Sequence, residues 1–135
     1  MPVSYKRWVA SLVANLQLHF NLSGWQIGLE FVSNYEDEED QTVLAHVCAD
    51  HTYQHATITF TQHTESLFKE KKYDRILLVV VHELVHLFLQ PFDTFTTSHL
   101  SKITAPIYAD IVERATVQIT AVILKSLPKN LKPPR

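Results

Sequence analysis

The chain has 135 residues, 46% of them hydrophobic and 19% charged, with a formal net charge of −2. That is enough chain for one domain that buries roughly two thirds of its unfolded surface, and it excludes a disordered or strongly nucleic-acid-binding composition. A single cysteine, Cys48, permits no internal disulfide, and the opening stretch MPVSYKRWVASLVANLQLHF lacks the apolar core and cleavage site of a signal peptide, so a cytoplasmic setting is expected.

From Tyr5 to about Phe20 the apolar residues recur at helical spacing, with Tyr5, Trp8, Leu12 and Leu16 on one stripe, which predicts an amphipathic helix ending near Asn21 to Gly24. WQIGLEFV then alternates, placing Trp25, Ile27, Leu29 and Phe31 on one face of a half-buried strand. The five consecutive acids Glu36 to Asp40 repel one another and match no metal-loop spacing, so they read as a solvated loop. TVLAHVCAD (42–50) and YQHATITFTQ (53–62) follow as two more strands, the second with Ala56, Ile58 and Phe60 inward and His55, Thr57, Thr59 and Thr61 outward.

A short polar helical stretch is expected around Glu65 to Lys72. Asp74 then suits the N-cap of a helix running to about Gln90, where Pro91 discourages continuation. Its longest strictly apolar run, Ile76 to Val81, is six residues against the roughly 20 a membrane span needs, so no membrane partner is expected. The polar segment FDTFTTSHLSKIT leads to a final helix from about Pro106 to about Leu127. The predicted organisation is α+β: one domain over 1–127 with a sheet of about three strands, and a mobile tail over 128–135. The tail's basic residues, with Lys125, are too scattered to suggest a nucleic-acid partner.

The apolar helix carries three polar residues in its middle, His82, Glu83 and His86. Residues four apart share a helix face, so two imidazoles can meet one metal ion, while Glu83, about 100° round the helix, sits beside the ion where it can reach a water. With 8 His and 8 Glu in the chain, this pattern would arise by chance roughly 0.03 times. Zinc is the expected ion for imidazole and carboxylate ligands in an open site. Glu113, an acid set within an apolar helical segment, is the leading third ligand, with Asp93, His99 and Asp110 as rivals.

The stretch His82-Glu83-Leu84-Val85-His86 resembles the zincin metallopeptidase motif. Leu89 and Phe92 stand where the metzincin branch would have Gly and His, and a glutamate on the following helix is similar to the gluzincin arrangement, specifically its compact single-domain form. The resemblance implies zinc held by His82, His86 and Glu113, with Glu83 as general base in hydrolysis of a peptide or protein substrate. It departs at Val117, where larger gluzincins have an aspartate, leaving Asp110 as a candidate to orient a ligating histidine. It also implies an extended substrate added to a sheet edge, for which residues 55–62 are the natural strand, and a second oxyanion donor, for which Tyr108 and His99 are candidates. The competing reading is a non-catalytic metal-binding interaction module on the same fold.

Overall fold

The computed structural model describes residues 4–35, 43–50, 52–99 and 104–127, and for 92–99 the backbone alone. The acidic run 36–40 and the segment 128–135 lie outside the described residues.

Helix α1 spans Tyr5–His19, its N-cap Ser4 accepting a hydrogen bond from the Arg7 amide. Tyr5, Trp8, Val9, Leu12, Val13 and Leu16 form its buried stripe, as the spacing predicts. The helix ends in a left-handed residue, Asn21 (φ 57°), and the Leu22 amide returns to the Gln17 carbonyl at 2.8 Å. The Gln17 carboxamide donates to the carbonyls of Leu22 (2.9 Å) and Trp25 (2.6 Å), which holds the turn into the sheet.

Three strands follow: β1 (Gln26–Phe31), β2 (Ala45–Asp50) and β3 (His55–Phe60). Their order is β1-β3-β2, with β3 parallel to β1 and antiparallel to β2. β1 alternates exposed and half-buried residues, and β3 buries Ala56, Ile58 and Phe60 inward. Two expectations fail here. β3 is the central strand, so it cannot receive an added strand; the edges are β1 and β2. Thr59 and Thr61 are also buried: Thr59 is flanked by both neighbours, its hydroxyl 3.4 Å from Glu30. Thr61 has left the strand to cap the next helix, and its hydroxyl donates to the Val43 carbonyl at 2.6 Å.

Helix α2 is Gln62–Lys69, three residues earlier than its polarity suggests because Thr61 supplies the cap. Helix α3 is Tyr73–His99. Asp74 lies in its first turn rather than at the cap, where its carboxylate still opposes the helix dipole. Pro91 does not end α3: it removes the hydrogen bond to the Leu87 carbonyl, yet the helix runs eight residues further. Helix α4 spans Thr104–Ser126 and takes Pro106 in its first turn, where no amide donor is missed.

Helices α1 and α3 share the core with the inward face of the sheet. Phe31 and Phe60 stack at 5.5 Å, and Tyr5, Trp8, Phe68 and Tyr73 form a cluster of tilted and edge-on contacts between α1, α2 and α3. Helix α4 packs along α3, and α3 also meets β2, which leaves the middle of α3 between an edge strand and a surface helix. Among the described residues no helix is long and apolar enough to cross a membrane.

Candidate metal centre

The polar trio falls in the best-packed part of α3: Val80, Val81 and Leu84 are fully buried and Val85 is 1% exposed. These anchors fix how the intervening side chains face. His82 and His86, one turn apart, bring their Nε2 atoms to 3.2 Å, with the rings edge-on at 4.8 Å between centroids. Glu113 reaches them from α4, Oε1 lying 3.1 Å from His82 Nε2 and Oε2 3.2 Å from His86 Nε2. The histidine side chains are 19% and 24% exposed and Glu113 54%, so the cluster opens toward solvent.

Each histidine nitrogen lies 3.2 Å from the other and 3.1–3.2 Å from a different Glu113 oxygen, and this crowding of lone pairs calls for a cation or a proton between them. A tetrahedral ion with bonds of about 2.0–2.1 Å separates its ligand atoms by roughly 3.3 Å, close to the spacing of the two histidine nitrogens, and one ligand atom from each of the three residues lies within 4.8 Å of the others. His82, His86 and Glu113 are positioned to bind a metal ion.

Glu83 is set apart from this triangle. It is 7% exposed, and burial, with a smaller contribution from the Glu113 carboxylate, pushes its carboxyl up to about 8. Without a metal it therefore holds its proton at neutral pH. A bound dication would reverse the balance, because opposite charge favours the carboxylate.

A cavity of about 360 Å³ joins these groups: His82, Glu83, His86, Gln90 and Glu113 line one side, and residues Ala45, His46 and Val47 of β2 the other. The edge of β2 opposite β3 carries no strand among the described residues, so its backbone faces an open lane beside the cluster. Of the rival third ligands, Asp110 turns to Arg114 at 3.1 Å on the exposed side of α4, which also removes it as a histidine orienter. The side chains of Asp93 and His99 lie outside the described residues. Tyr108 is half-buried on α4 and does not line the cavity.

Two parts of the site escape sequence reasoning. The β2 wall depends on strand order, which no local pattern encodes. Gln90 had a signal, since it continues the four-residue spacing of His82 and His86. No family model matches the chain, and no curated protein or solved structure matches it either.

Proposed function

We propose that this protein is a zinc-dependent peptidase of the zincin type, built as a compact gluzincin. The observation that carries the reading is the separation of roles within one cavity: three converging ligand atoms and, beside them, a buried carboxyl that takes no part in the triangle. A metal site that is purely structural closes with a fourth protein ligand and has no use for such a group.

His82, His86 and Glu113 would hold the ion, and the donor set of two imidazoles and a carboxylate suits zinc. When bound, zinc supplies Lewis acidity, making a water acidic near neutral pH and polarising a carbonyl. Glu83 is the proton carrier: its carboxylate accepts a proton from the attacking water and passes it to the departing amine as the peptide C–N bond breaks. Burial raises the proton affinity of that carboxyl and a bound dication would lower it, and these opposing effects would let it both take and give the proton. The open edge of β2 is the surface along which an extended peptide would lie, its backbone hydrogen bonds supplying affinity.

The test is cleavage of a broad peptide library by zinc-loaded parent and Glu83→Gln. The peptidase reading expects cleavage that a chelator abolishes, and a loss of about 10²–10⁴-fold in Glu83→Gln with zinc retained. A parent that holds zinc and cleaves nothing favours the non-catalytic module.

A further inference from the structure

Gln90 lines the cavity from α3 but belongs neither to the three ligand residues nor to the proton chemistry. It follows His86 by four residues, as His86 follows His82, so the three occupy successive turns of one face of α3, each about 6 Å further along the axis. It is half-buried and lies across the cavity from the β2 edge. An extended peptide advances roughly 3.3 Å per residue, so one lying along α3 would bring to Gln90 a peptide group about two residues from the one at the cluster. A carboxamide carries N–H donors, a carbonyl acceptor and no charge, which complements a backbone peptide group. No Lys or Arg is among the described residues that line the cavity.

We propose that Gln90 is a substrate-binding residue that hydrogen-bonds a neutral peptide group of an extended chain, about two residues from the cluster. The inference rests on the peptidase reading for what is cut, but recognition is measurable without cleavage. Two chelating probes, acetohydroxamate and a tripeptide hydroxamate, are titrated into zinc-loaded parent, Gln90→Ala and Gln90→Met.

The expected result is a loss of about 3- to 10-fold in tripeptide hydroxamate affinity in both variants, the size of one neutral hydrogen bond. Acetohydroxamate affinity, zinc affinity and the Tm of Gln90→Met stay at parent values. Equal tripeptide affinity in parent and variants overturns the inference. So does a parallel loss for both probes, or a fall in zinc affinity, which would make Gln90 a ligand. Selective loss in a protein that cleaves no peptide removes the peptidase reading and leaves this one standing.

Discussion

Helix α3 buries Ile76, Val80, Val81 and Leu84 completely, whereas α4, among its described residues, buries only Thr116 and Thr120 and leaves Ile107, Ile111, Val117 and Val122 more than half exposed. Full burial of one aliphatic side chain is worth roughly 1.5–3 kcal/mol, so α3 is fixed by the core while α4 rests on it through two buried threonines and the part-buried Ile119, Ile123 and Leu124. The two histidines and Glu83 come from the first helix and Glu113 from the second. Under the proposed reading, such a site would have two ligands held by the core and one on a more exposed helix, and its general base would be held by the same packing that holds the core.

That difference should show most strongly in stability. Leu84→Ala, next to Glu83 at a fully buried position, should cost about 2–5 kcal/mol in denaturant unfolding. Ile111→Ala on the exposed side of α4 should stay within about 0.5 kcal/mol. Comparable losses would mean that the outer side of α4 is anchored as firmly as the core of α3.

The next effect is a pH dependence that belongs to α3 alone. In the metal-free protein the folded Glu83 carboxyl is raised to about 8 from an ordinary 4.5. Below pH 4.5 both folded and unfolded chains carry the proton, so the group contributes no penalty. Between 4.5 and 8 the unfolded chain ionises first, and stability falls as pH rises, at up to about 1.4 kcal/mol per pH unit. Above 8 both are ionised and the penalty levels off at a few kcal/mol. Glu83→Gln should flatten this slope in unfolding curves taken across the window, and should leave the fold more stable than the parent at pH 8.

The smallest effect concerns the exposed Asp110–Arg114 pair on α4, whose side chains are 61% and 77% accessible. Asp110→Ala should change stability by less than about 0.5 kcal/mol and leave zinc affinity at the parent value in equilibrium dialysis. A clear drop in zinc affinity would bring Asp110 back as a residue that orients the ligands.

The same contrast explains what could be read from the chain alone. The stripe of α1, the alternation of β1 and the polar trio inside an apolar helix are periodic patterns over neighbouring residues, and local periodicity survives into the structure. Glu113 was visible for a related reason, as an acid out of place in an apolar helix. What the pattern does not carry is non-local. Whether β3 lies at the edge or in the centre depends on which strands pair across the sheet, and Thr59 reads as outward until both neighbours cover it. Pro91 gives a local stop signal that α3 overrides, so the helix continues where composition alone suggests a polar linker. The cavity wall made by Ala45, His46 and Val47 of β2 likewise depends on where that strand pairs.

The central claim is that His82, His86 and Glu113 close round one zinc ion, and the most direct test is zinc stoichiometry and affinity in parent, His82→Ala/His86→Ala and Glu113→Ala. The account predicts one zinc per chain in the parent and none retained by the double variant. It predicts intermediate binding, weaker than the parent but above the double variant, in Glu113→Ala, where one of three ligands is lost. A parent without zinc, or a double variant that binds it as tightly as the parent, would contradict the account.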